Sequence, residues 1–187
     1  MFIAQKKRAE NIAEYILYLW QLEDLLRALQ FSPEAIWSQL VEKQGSLTPE
    51  QQQQVFMWYM ELSSLLKEEG KVEHGHLNHT LHLISDMNDM HSELLALPAG
   101  EQYRKVWSRV ENEIPRLKSA FNNLNVTDIE VCFRALYAVM LYRIKGEQDK
   151  HDGYINDVIQ LISPLIATLA DTYMKSERGE IDIYRDL

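Results

Sequence analysis

The chain is poor in the residues that punctuate structure: its 187 residues include only seven glycines, five prolines and one cysteine. Scarce glycine and proline mean few turns, and therefore few, long elements. A lone cysteine, Cys132, excludes an internal disulfide and fits a reducing compartment. Positive charge is also short. Nineteen Lys and Arg stand against 28 Asp and Glu, a formal net charge of −9. Nucleic acid and anionic membrane both need a basic surface, so neither is expected as a partner. Long apolar runs are missing too. The longest charge-free stretch, residues 158–170, contains Gln160, Ser163, Pro164 and Thr168. It falls short of the roughly 20 apolar residues that span a bilayer. Lys6, Lys7 and Arg8 precede an apolar run, but Glu10, Glu14, Glu23 and Asp24 interrupt it. No small-residue cleavage site follows, so a secretion signal is not expected and a cytoplasmic protein is.

What is present is helical periodicity. The stretch from Asn11 to Ala28 is apolar on almost every side. Ile12, Ile16, Leu19 and Leu26 form one stripe, and Tyr15, Leu22, Leu25 and Leu29 the next. Such a helix needs neighbours on several faces. Its surplus of large apolar positions points to a central helix, or to a homodimer that covers it. The pattern predicts one helix over residues 5–30. Ser32-Pro33 then restarts the chain as a cap and first helical residue, with Gly45 as a left-handed stop. Thr48 and Gln51 form a capping box for a third helix that stops at Gly70. A fourth begins between Lys71 and His76 and ends near Pro98.

After Gly100, the stripe Tyr103, Val106, Trp107, Val110, Ile114, Leu117, Phe121 and Leu124 passes through Pro115 in phase. It predicts one proline-kinked helix. Thr127-Asp-Ile-Glu130 is another capping box, opening a sixth helix over 128–145. The last helix carries Pro164 and a second kink, and residues 180–187 form a short acidic tail. That tail is expected either to stay disordered or to dock through Ile181, Ile183 and Tyr184. The fold class is all-α: a single-domain bundle over 1–187 of six to seven mostly antiparallel helices, two of them kinked.

Two clusters bear chemistry. Five of the six histidines lie between His74 and His91. His79, His82, Asp86, Asp89 and Glu93 share one helix stripe, and His79, His82 and Asp86 are the candidate ligands of a divalent transition metal. The competing reading is a solvated face, because the apolar arc of this helix centres on Leu83, Met87 and Leu94. One helix supplies few ligands, and the Glu-x-x-His pairs of di-iron bundles are absent. The second cluster is ionic. Glu23 interrupts the core stripe of the first helix, and Arg143 interrupts that of the sixth. A buried charge is costly unless paired, so these two are candidates to meet or to face a shared polar cavity. The alternative is that Glu23 pairs with Arg27 and Arg143 reaches outward. Cys132 has no Lys or His near it in sequence and reads as a buried thiol. There is no glycine-rich phosphate loop and no fixed-period repeat.

The run Ala9-Glu-Asn-Ile-Ala-Glu-Tyr-Ile-Leu-Tyr-Leu-Trp-Gln-Leu-Glu-Asp-Leu-Leu-Arg27 resembles the opening of an uncharacterised bacterial family known from Bacteroides-type species. The resemblance implies an all-helical domain of similar length and unknown function. It brings no activity, ligand or catalytic residue. The reading is therefore a non-catalytic helical binding protein without cofactor, partnered by a protein or by itself. The alternatives are a metal-dependent enzyme on the histidine stripe and a small-molecule sensor with a cavity near Glu23 and Arg143.

Overall fold

The structure, a computed structural model, describes residues 1–122, 124–144 and 152–184. Among the described residues the regular elements are nine α-helices, one π-helical segment and two 3₁₀ turns, with no strand. The chain is all-helical. Nine helices stand where the sequence predicts six to seven, because two of the predicted helices are each split in two.

The first split is at Asn11, between α1 (Phe2–Glu10) and α2 (Ile12–Ala28). Asn11 is extended, with φ −156° and ψ 105°, and its side chain accepts from the amides of Ala13 at 3.0 Å and Glu14 at 3.1 Å. An asparagine that caps a new helix ends the old one. The second split separates α6 (Glu101–Trp107) from α7 (Ile114–Ala120), through a 3₁₀ turn at Glu111–Glu113. Pro115 is thus the second residue of a helix, where its missing N–H costs nothing, and not a kink inside one. Pro164, by contrast, does lie inside a continuous helix, α9 (Asp152–Glu177).

The chain divides into two compact units, Met1–Leu81 and His82–Leu187. The first holds α1, α2, α3 (Pro33–Ile36), the π-helical turn Trp37–Val41, α4 (Pro49–Glu68) and the start of α5 (Asn78–Ala96). Its core joins Leu19, Leu22 and Leu26 to Ile36, Val41, Val55 and Leu66. Ile12, Ile16, Leu19, Trp20, Leu22 and Leu26 of α2 are all buried within one chain, so its apolar surplus is largely absorbed without a second copy.

Local signals set the ends. Ser32 accepts from the Ala35 amide at 3.2 Å, and both halves of the Thr48–Gln51 box are made. Gly70, at φ 68°, lets the Lys71 amide return to the Leu66 carbonyl at 2.7 Å. Gly45 lies outside the left-handed region. The preceding helical stretch is closed instead by Gln44, whose side-chain amide donates to the Leu40 carbonyl at 2.5 Å.

The second unit holds the rest of α5, then α6, α7, α8 (Asp128–Ile144) and α9, joined by a 3₁₀ turn at Pro98–Gly100. α8 packs on α7 and α9, and α6 on α9. Gly100 is required where it stands: a Cβ there would fall 1.7 Å from the Leu94 carbonyl oxygen. The tail folds back on its own unit, with Ile183 buried and the Tyr184 hydroxyl donating to Glu93. The last three residues of the predicted tail lie outside the described residues.

Candidate functional site

The connector between α4 and α5 is held on α2 by three side chains at positions i, i+3 and i+7. Trp20, Glu23 and Arg27 at this spacing project to one side of a helix. The Arg27 guanidinium donates to the Lys71 carbonyl at 3.0 Å, to the Gly75 carbonyl, and to Asp24 at 2.7 Å. Glu23, only 1% exposed, accepts from His76 Nδ1 at 2.7 Å and from the Leu77 amide at 3.2 Å. The indole of Trp20 stacks on the His76 ring, with centroids 3.8 Å apart and planes 7° apart. Its Nε1 donates to Thr80 Oγ1 at 3.0 Å, and that hydroxyl donates to the Leu77 carbonyl at 2.8 Å. The Asn78 amide donates to Glu69 at 2.7 Å. Two carboxylates therefore sit on the free amides at the start of α5, where the helix dipole favours negative charge. A carboxylate on Nδ1 and an indole on the ring face fix the orientation of His76, which is only partly exposed.

The candidate residues from the sequence fall as follows. Glu23 is indeed inside the core, and the groups shown on its oxygens come from the connector, 53 and 54 residues away. Arg143 is exposed and belongs to the second unit. Arg27 pairs with Asp24, its neighbour at i−3. His79 is half-buried, with Nε2 3.5 Å from the Tyr15 hydroxyl, while His82 and Asp86 are exposed. Among the described residues no three His, Cys, Asp or Glu side chains gather closely enough to hold a metal ion. The reason is rotational: Ile84 and Met87 take the buried face of α5, which turns His82 and Asp86 to water. The clasp residues Trp20, His76 and Thr80 escape sequence reasoning, and Arg27 enters it only as an alternative partner of Glu23, where the structure pairs it with Asp24. The available signal is polar groups at helical spacing on an otherwise apolar α2.

A second buried polar group lies in the other unit. His91, 4% exposed, has Nδ1 2.6 Å from the Tyr103 hydroxyl and meets the edge of Trp107, with centroids 4.5 Å apart. Burial lowers the basicity of His91 below its ordinary value, against the opposing charge of Asp128. Burial likewise raises Tyr103, helped by Cys132 and Asp128. Cys132 is pushed up to about 12 by burial and then by Asp128, whose carboxylate pairs with Lys118 at 2.7 Å. This thiol stays protonated at neutral pH and is no nucleophile.

Residues 1–180 match the family model of a domain of unknown function, DUF4924. The chain belongs to this family. No curated protein and no solved structure matches it. The DUF4924 match covers both units almost completely. Among the described residues no helix is long and apolar enough to cross a membrane.

The described residues of the second unit of this DUF4924 chain border concavities at two places. One, of about 400 Å³, has Glu113, Arg116 and Leu117 on one side and Asp157, Val158 and Leu161 on the other. The other, of about 650 Å³, is bordered by Met90, Glu93 and the tail. Neither lining includes Glu23 or Arg143.

Proposed function

We propose that this chain is a non-catalytic helical-bundle protein of the bacterial cytoplasm that acts by binding, with a second copy of itself as partner. The observation that carries the reading is a closed polar interior: among the described residues, no buried side-chain nitrogen or oxygen lacks a hydrogen-bond partner. Buried polar groups are ordinarily hydrogen-bonded, and one left unpaired would mark a candidate site. Here Glu23 is satisfied by the connector, His91 by Tyr103, and Cys132 is sealed in the core. The family match runs over residues 1–180, across both units, which supports reading them as one functional domain.

The partner surface is assigned to the outer sides of α2 and α4, which pack on each other. Leu25, Met57 and Leu65 are 41%, 51% and 40% exposed there. Large apolar side chains left in water on two packed helices are candidates for an association surface. The test is the double substitution Met57→Glu with Leu65→Glu. It should abolish self-association while the helical circular dichroism is kept. Unchanged association in a folded double variant would remove this surface from the account.

A second reading rests on the groove between α7 and α9. Its 400 Å³ falls in the range of small-molecule sites, with Leu117, Val158 and Leu161 as apolar lining and Arg116 as a polar contact. This reading makes the chain a sensor. It requires that Leu161→Arg, which fills the groove, eliminate ligand-induced thermal stabilisation in a compound screen.

A further inference from the structure

We propose that His91, clamped by Tyr103 and Trp107, is a proton-operated latch between α5 and α6 that releases in mildly acidic solution. The geometry has three parts. Tyr103 and Trp107 are four residues apart on α6 and so present both rings to the same imidazole of α5. Arg104, which stands between these two residues on α6, donates to the carbonyls of Leu94 at 3.0 Å and Leu97 at 2.5 Å. That contact is indifferent to pH, since arginine keeps its proton. The turn between them is locked by the close approach at Gly100. α6 is therefore tied to α5 both by an arginine contact that pH does not change and by a group that can change charge.

The chemistry of the latch follows from its partners. Burial keeps the Tyr103 phenol protonated, and with its O–H assigned as the donor to Nδ1 the neutral imidazole carries its hydrogen on Nε2. Protonation of His91 puts a donor on Nδ1 as well. The phenol must then accept, which strands its own hydrogen, and a positive charge sits in a site that is 4% exposed. The surrounding charges offer little relief. Asp128 of α8 is the charge that favours protonation, but Lys118 of α7 pairs with it at 2.7 Å. Cys132 of α8 is an uncharged thiol near Tyr103. On α9, which packs on α6, Asp171 pairs with Lys175, and just beyond its end Arg178 pairs with Glu180. On α5 itself, Asp89 is exposed and Glu93 is taken by Tyr184.

The sign is fixed by linkage. The folded state binds the proton less readily than the unfolded chain does, where histidine titrates near 6.5. The latch therefore contributes in full above pH 6.5 and is lost as pH falls below it.

Trp107 is the only tryptophan of the second unit, the others being Trp20, Trp37 and Trp58. Its fluorotryptophan resonance, assigned with Trp107→Phe, reports the joint. From about pH 8 to about pH 5, it should move cooperatively with a midpoint below 6.5, and His91→Gln should abolish the movement. A resonance that stays put, or that moves equally in His91→Gln, overturns the latch. Should His91→Gln not fold, Tyr103→Phe decides. Loss of the donor to neutral imidazole should shift the midpoint toward neutral pH, and an unshifted midpoint overturns the proposal.

Discussion

The imidazole of His76 lies flat on the indole of Trp20, with centroids 3.8 Å apart, while its Nδ1 is 2.7 Å from the buried carboxylate of Glu23. A connector with few apolar residues of its own is thereby seated on the central helix. The clasp is polar, and its members depend on one another. Removing the carboxylate takes away the acceptor shown for His76 Nδ1 and for the Leu77 amide.

Glu23→Gln keeps the shape and removes the charge. Charge-assisted hydrogen bonds contribute about 1.5–3 kcal/mol each, against roughly 1 for neutral ones. The variant should lose about 2 kcal/mol, and Glu23→Ala about 3 to 5 because the buried Leu77 amide loses its acceptor and a cavity is left in the core. Chemical denaturation measures both, and Glu23→Gln at native stability would show that the clasp is ornamental.

Arg27→Met should free the connector without emptying the core. Both connector carbonyls then lose their donor, and the backbone around Lys71 becomes able to enter a protease. Limited trypsin digestion should cut after Lys71 at least tenfold faster than in the native chain, as expected for the loss of about 1.4 kcal/mol of local stability. Equal rates would mean that Glu23 and Trp20 suffice.

His82→Ala and Asp86→Ala should each change stability by less than about 0.5 kcal/mol, since both side chains are exposed on α5. Added zinc should not raise the melting temperature of the native protein. A zinc-dependent rise that disappears in these variants would restore the histidine stripe as a metal site.

Cys132 should resist an aromatic disulfide reagent at about pH 8 in the native protein and react promptly after unfolding, because burial and Asp128 hold its thiol protonated. Prompt reaction in the folded state would reveal an opening of the second core.

Gly100→Ala should be among the most damaging small substitutions. Its Cβ would stand 1.7 Å from the Leu94 carbonyl, so the turn must move or fail. A loss of about 3 kcal/mol or more is expected by thermal denaturation.

Much of the fold is legible in the sequence, and the failures have one physical source. Ser32, Thr48 and Gly70 announce helix ends because capping is local, settled within four residues. Asn11 and Pro115 are misread because apolar periodicity continues through them, and periodicity reports which face is buried, not whether the backbone is continuous. Gly45 is misread because a side chain, Gln44, does the closing. At the site, Glu23 is legible as a carboxylate inside a core stripe. His76 is not legible as its partner, since that pairing is a property of tertiary packing. Sequence places His76 at the border of the fourth helix, but it stands two residues before α5. The latch of His91 and Tyr103 is hidden for the same reason, since a histidine on an apolar face says nothing about which helix meets it.

The measurement that tests the binding account most directly is the mass of the native protein by light scattering at micromolar concentration, in low and in high salt. The chain weighs 21.9 kDa, and the account requires about twice that. With a net charge of −9 on each copy, association should tighten as salt screens the repulsion. A mass of 21.9 kDa at every concentration and salt level would contradict the account.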